Sequence, residues 1–338
     1  MNQRVNPSVI LHSHPDGEAQ VENFRLENRT LEPLKEGEFL IENIWLSLDP
    51  YTRPRLNKNI EHVEPIPLGG VIQGETVGRV IESKSSLYQV DDIVFTFSGW
   101  QKYCVCSDRH FLTYRLPDTH LPESVFLSAV GTPGRAAYFG LNKIGRPVAG
   151  ETLVVSAASG AVGSIAGQLG KLAGCHVVGI AGSKEKCRYV VEELGFDACV
   201  NYKEAFFADA FAESCPRGVD VYFENVGGRV SSIVARHLND GARVPICGGA
   251  ALYNKGKNVD AFKLPRFYAA LPNTPEHRFF LVTEWVNEYP SSISWLLEAV
   301  ESGQLKYKES ITEGLENAPQ AFIDMLCGRH FGKQLVRV

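Results

Sequence analysis

The segment Leu153-Val154-Val155-Ser156-Ala157-Ala158-Ser159-Gly160-Ala161-Val162-Gly163-Ser164 has the make-up of a phosphate cradle. An apolar run meets a turn of small residues, and a helix-like stretch follows. Gly160 and Gly163 take the second and third glycine places of GxGxxG, with Ala158 in the first. The second glycine lets the backbone approach a pyrophosphate, and the third lets the helix pack on the strand. The helix start then offers N–H groups and a positive dipole end to the phosphates. An ordinary strand–helix turn could carry the same two glycines. The strand–turn–helix context favours a dinucleotide site.

A site for NAD places Asp or Glu at the end of the next strand, about 20 residues on, to hold the ribose hydroxyl. The chain there reads Gly179-Ile180-Ala181-Gly182-Ser183-Lys184-Glu185-Lys186, with no acid at the strand end. Small residues leave room, and Lys184, Lys186 and Arg188 bring positive charge. Solvated surface cations are the plainer explanation, but the dipole of a helix start disfavours them. A 2′-phosphate suits them better, so NADPH is expected rather than NADH.

These groups need a parallel sheet to hold them. Strand-like runs at Thr152–Ser156, His176–Ile180, Ala198–Val200, Asp220–Phe223, Arg243–Cys247 and Phe279–Val282 alternate with helical stretches such as Gly163–Ala173 and Glu185–Leu194. That alternation implies a doubly wound α/β Rossmann sheet covered on both faces. Residues 1 to about 128 read instead as short strands divided by turns, including Val9-Ile10-Leu11, Phe39-Leu40-Ile41, Val77–Ile81, Ile93-Val94-Phe95 and Tyr103–Val105. A β-rich, partly open barrel is expected for them. A helix around Ala318–Leu326 and a strand at Lys333–Val338 could return to that first unit. The domains are therefore drawn as 1–128 with 305–338, and 129–304.

The chain has 338 residues, enough for two cores, and 44% hydrophobic content. A net charge of -5 without a basic stripe speaks against nucleic-acid binding. The eight cysteines form no CxxC pair, so reduced thiols are expected. The start MNQRVNPSVILHSHPDGE has no apolar signal core. No apolar run of about 18 residues suggests a membrane span. The cytoplasm is the expected location.

Several segments together resemble the zinc-free medium-chain dehydrogenase/reductases. The group most similar is the alkenal/enone double-bond reductases, which include prostaglandin reductases and curcumin-reductase-like enzymes. The resembling segments are SLDPYTR (47–53), VGTPGRAAYFGL (130–141), AGETLVVSAASGAVGS (149–164), VVGIAGSKEKCRYVVEELGFDACVNYK (177–203), YFENVGG (222–228), CGGAALYN (247–254) and FGKQLVRV (331–338). The resemblance implies a GroES-like β domain beside the Rossmann domain. It implies that Gly160, Ala161 and Val162 cradle the pyrophosphate, with Gly163 closing the turn. Lys186 and Tyr202 would bind the 2′-phosphate, with Gly182 giving it room. Asn225 would lie near the nicotinamide, and the backbone at Phe280 and Val282 would hold the carboxamide. Tyr253 matches the family tyrosine that faces the reacting centre, and Tyr51 lies in the substrate cleft. A homodimer is implied as well.

Three departures stand out. Thr132 replaces the methionine of GMPG, Phe279 stands where glycine is usual, and His330 stands where the family has a cofactor-contacting asparagine. Phe279 would reshape the substrate pocket.

No metal is expected. Catalytic zinc needs Cys and His converging on it. The segment Leu46–Arg53 has Asp49 but neither, and Glu75 in GETVG lacks a neighbouring His. Without zinc a simple ketone is a hard substrate, whereas an activated alkene is easier. Hydride added to its β carbon leaves charge on the carbonyl oxygen, where a neutral donor suffices. Tyr253 or the nicotinamide ribose hydroxyl could be that donor, with Tyr253 or water protonating the α carbon. Tyr253 could equally only pack against the cofactor. A quinone reductase, a non-catalytic NADP-binding scaffold and, third, an alcohol dehydrogenase are the competing expectations.

Overall fold

The computed structural model describes residues 4–58, 64–110, 112–254 and 263–338. The first strands are β1 (Val5–Leu11), β2 (Phe24–Thr30), β3 (Glu38–Ser47), β4 (Thr76–Ser83), β5 (Ile93–Thr96), β6 (Tyr103–Ser107) and β7 (Tyr114–Arg115). The middle ones are β8 (Thr152–Ser156), β9 (His176–Ala181), β10 (Ala198–Asn201), β11 (Val219–Phe223), β12 (Leu238–Ile246) and β13 (Glu276–Phe279). The last are β14 (Glu309–Glu313) and β15 (Lys333–Arg337). The α-helices are α1 (Thr52–Arg55), α2 (Thr132–Phe139), α3 (Ala161–Leu172), α4 (Lys184–Glu192), α5 (Phe207–Ser214), α6 (Gly228–Val234), α7 (Leu264–Ala269), α8 (Tyr289–Glu301) and α9 (Ala318–Leu326).

Six strands form one parallel sheet in the order β10-β9-β8-β11-β12-β13. This is the Rossmann order, with its switch point between β8 and β11. All five residues of β8 are buried, as a strand covered on both faces requires. On α3, side chains at Gly163, Gly167 and Gly170 would collide with the Ala157 carbonyl, the Phe196 ring and Leu153. Glycine at this spacing lets the helix lie close against the sheet.

A separate mixed sheet runs β14-β15-β3-β4-β5-β7, with β6 also on β3. β15 lies antiparallel to β3 and parallel to β14, so the C-terminal strand does return to the first unit. β1 and β2 form their own antiparallel pair. One buried cluster runs from Trp45, Val77 and Phe95 through Phe126 and Phe139 to Val155, Ile165 and Phe223. The two sheets therefore share a core.

Among the element bounds that differ from expectation, two bear on the site. The sixth strand is Glu276–Phe279 rather than Phe279–Val282. The Phe280 N–H makes a last bond to Ile246, at 3.3 Å, and Glu284 then captures the Leu281 N–H at 2.8 Å. That capture turns the chain into a 3₁₀ helix at Val282. α3 starts at Ala161 rather than Gly163, because Gly160 is its extended N-cap.

Candidate active site

The phosphate turn begins where β8 ends. Ala157 takes a φ of +51°, a left-handed conformation that costs a non-glycine residue about 1 kcal/mol. Neighbouring bonds hold it there: Ala158 N–H to the Ile180 oxygen at 3.0 Å, and Gly160 N–H to the Ala157 oxygen at 2.9 Å. No side chain caps α3, so the N–H groups of Ala161, Val162 and Gly163 open its N-terminus. The C-terminal loop reaches the same turn, with Gly332 N–H donating to the Ser159 oxygen at 2.9 Å.

Beside the turn is a notch between β9 and β10. A Cβ at Gly182 would lie 3.0 Å from the Tyr202 ring, so glycine keeps the notch open. Ser183 caps α4 by accepting the Lys186 N–H at 3.2 Å. That cap sets Lys186 at the notch, where its ammonium donates to the Gly328 oxygen at 2.7 Å. An ammonium carries three donors, so this bond does not exhaust it. Burial, then Lys203, pushes Lys186 below the ordinary lysine value. His330 lies close by with a buried Nδ1 that has no partner among the described residues. Burial, with Lys186 and Lys333 beside it, lowers its imidazole to about 4. An open helix end, a notch that a methyl group would narrow, a crowded cation and an orphaned ring nitrogen fit a dinucleotide carrying an extra phosphate.

The other half of the site lies across the switch point. Asn225 follows β11 and donates from its side chain to the Ser156 oxygen at 2.8 Å. Its backbone N–H meets the Ser156 hydroxyl at 2.9 Å. The Asn225 oxygen accepts the Ala250 N–H at 3.0 Å, which fastens the loop carrying Tyr253. The Tyr253 hydroxyl accepts the Gly249 N–H at 3.2 Å. Arg53 donates to Asn254 at 2.9 Å and so joins the segment of Tyr51 to the segment of Tyr253. The Tyr51 hydroxyl is buried and unpartnered. Burial, then Asp49 and Glu75, pushes this phenol well above the ordinary tyrosine value. Tyr51 is thus a neutral donor without an acceptor among the described residues.

Phe280 is buried against Phe223 and Trp285, with its N–H spent on Ile246. Val282, half-buried, opens the following 3₁₀ helix. Phe279 is half-buried against the cluster of Val244, Ile246, Leu264 and Tyr268. The cradle, notch, Asn225 and the two tyrosines converge on one edge of the parallel sheet. Phe279 sits on a core cluster beside it.

Three acids shape this edge; sequence reasoning weighed Asp49 and Glu75 only as metal ligands and did not single out Glu224. Glu224, fully buried, accepts Tyr222 at 3.0 Å, Tyr268 at 2.6 Å, the N–H groups of Val226 and Gly227 at 2.8 and 3.0 Å, and the Ser231 hydroxyl. Glu75 is buried against α2, where Thr132 donates to it at 2.6 Å. Asp49 is paired with buried Lys333 at 2.6 Å and accepts the Ser47 hydroxyl. The available signal was an acid inside a small or apolar run, which requires partners when buried. The sequence does not say which partners.

Comparison with known proteins follows the same division. Residues 8–113 match the family described as the N-terminal domain of oxidoreductase, and residues 161–296 match zinc-binding dehydrogenase. That second description names zinc, yet Leu46–Arg53 offers no Cys or His and Asp49 is engaged by Lys333. Among the described residues no group of three His, Cys, Asp or Glu side chains could hold a metal ion. The chain is 42% identical to the NADPH-dependent curcumin reductase of Escherichia coli, over 98% of this chain and 97% of that one. It is 34% identical to the 2-alkenal reductase (NADP(+)-dependent) of Nicotiana tabacum, over 98% and 97%. The crystal structure of CurA from Vibrio vulnificus in complex with NADPH matches with a TM-score of 0.91 and 38% identity, covering 98% of this chain and 99% of that one.

Proposed function

The chain belongs to the zinc-free medium-chain dehydrogenase/reductases, in the alkenal/enone double-bond reductase group, and on that premise we propose that it reduces the carbon–carbon double bond of α,β-unsaturated aldehydes or ketones with NADPH. The observation that carries this reading is the meeting of the phosphate turn, the Gly182–Lys186–Tyr202 notch and the Tyr253 loop on one sheet edge. NADPH, when bound, supplies hydride to the substrate's β carbon. The open N-terminus of α3 holds the pyrophosphate, and Lys186 with Tyr202 holds the 2′-phosphate. Asn225 and the backbone near Phe280 and Val282 orient the nicotinamide end. His330 stands beside Lys186 as a neutral cofactor contact. Tyr253 donates to the substrate oxygen as it gains charge, and Tyr51 and Phe279 shape the pocket.

In this reading residues 1–128 and 305–338 form the catalytic domain, and 129–304 the cofactor domain. Enals such as 2-alkenals are the proposed substrates, with no metal in the reaction. The protein is read as cytoplasmic and homodimeric, with β13 at the exposed sheet edge as the joining strand. The test is a spectrophotometric panel that follows NADPH loss with enals, enones and quinones. Faster turnover on the activated alkenes is expected. A quinone preference would move the assignment to the quinone reductases, and no oxidation with any compound would favour a binding scaffold.

A further inference from the structure

Glu75 lies just before β4, 5% exposed, and its carboxyl is satisfied on one side only. Oε1 accepts the Thr132 hydroxyl, while Oε2 is buried without a partner among the described residues. The groups facing it come from several elements: Asp49 and Tyr51 from the end of β3 to α1, Arg135 from α2, Lys333 from β15, Tyr114 from β7 and Tyr289 from α8. Lys333 gives two of its three donors to Asp49 and the Leu48 oxygen. Among the described residues three facing donors are unpartnered, Arg135 Nε and the hydroxyls of Tyr51 and Tyr289. The Arg135 guanidinium is held 4.4 Å from the Tyr289 ring and 5.7 Å from the Phe95 ring, with both terminal nitrogens bonded. The Tyr51 hydroxyl can turn about its C–O bond.

A buried carboxylate oxygen with no donor is costly. It must hold a proton or capture a donor. We propose that the Glu75 carboxyl works in its protonated form, as a positioning residue that leaves the Tyr51 hydroxyl to the substrate oxygen. This inference rests on the enone reading above. With the proton on Oε2, the cleft holds no second negative charge beside Asp49. Charge developing on the substrate oxygen then meets a neutral phenol donor. Once ionised, Glu75 becomes the strongest unsatisfied acceptor near Tyr51 and adds like charge to the cleft. Burial, with Asp49 behind it, raises the carboxyl to about 7 against the pull of Thr132, Arg135 and Lys333. Thr132, whose hydroxyl holds Oε1, stands where the family resemblance expects methionine.

The test is the pH dependence of kcat on one enone at saturating NADPH, for wild type, Glu75→Gln and Thr132→Val. Wild-type kcat is expected to fall as pH rises through about 7. Glu75→Gln should lose that limb, because an amide does not ionise. Thr132→Val should move it to higher pH, because the bond favouring the carboxylate is gone. Independently of turnover, the infrared spectrum of the cofactor-free protein in mildly acidic solution should show a protonated-carboxyl band that Glu75→Gln lacks. A limb unchanged in Glu75→Gln, a limb unmoved in Thr132→Val, or a missing band would overturn the proposal. The valine variant carries the test if the glutamine variant does not fold. Failure of wild type on every enone would sink the enone reading instead, and the infrared band would still decide the state of Glu75.

Discussion

Tyr253 owes its position to the backbone around it. Its hydroxyl accepts the Gly249 N–H, and its loop is tied to Asn225. A phenol oxygen that accepts one hydrogen bond is polarised to donate another. Tyr253→Phe should therefore lower kcat on an enone at least about tenfold, the usual loss for one oxyanion donor being larger still. The affinity for NADPH, read by fluorescence titration, should hardly change. Wild-type turnover in that variant would refute the donor role. The cradle turn and the lysines after β9 could be read from the sequence because they are local, whereas Tyr202 entered only through the family resemblance. Gly160 to Gly163 sit in one strand–turn–helix, and the missing acid after β9 is visible without a structure. The role of Glu75 was not, because its partner Thr132 lies 57 positions away. His330 was visible as a departure, whereas its burial and orphaned Nδ1 were not.

At the scale of elements, Glu224 ties β11 to α6 and α7. It collects donors from Tyr222 on β11, Ser231 on α6, Tyr268 on α7 and two backbone N–H groups. Glu224→Gln places an amide donor against those donors. It should cost roughly 2–4 kcal/mol in denaturant unfolding, the range for a broken buried polar network. A loss under about 0.5 kcal/mol would contradict this role, being no more than a surface substitution gives. Legibility at this scale followed burial. β8, buried throughout, and α9, with one clear apolar face, were expected where they lie. β2 and β14 were missed. In β2 only Phe24 is buried, and no residue of β14 is fully buried, so neither shows the apolar alternation that marks a strand. The sixth strand was displaced because Glu284, three residues on, captures the Leu281 N–H in a helix cap that the apolar run Phe279–Val282 masks.

At the scale of the molecule, the C-terminal strand is built into the first sheet, and one apolar cluster joins that sheet to the Rossmann sheet. The Asp49–Lys333 pair and the Arg53–Asn254 bond cross the same region. The cofactor edge and the tyrosines are thereby held in one frame. Among the described residues no helix is long and apolar enough to cross a membrane. The most direct test of the whole account compares NADPH with NADH on the same enone, in wild type and in Lys186→Ala. Wild type should use NADPH at least about tenfold better by kcat/KM, since one charge-assisted phosphate contact supplies that much. Lys186→Ala should erase most of the preference while leaving the NADH rate in place. Equal use of the two cofactors by wild type, or a preference for NADPH that survives loss of Lys186, would contradict the account.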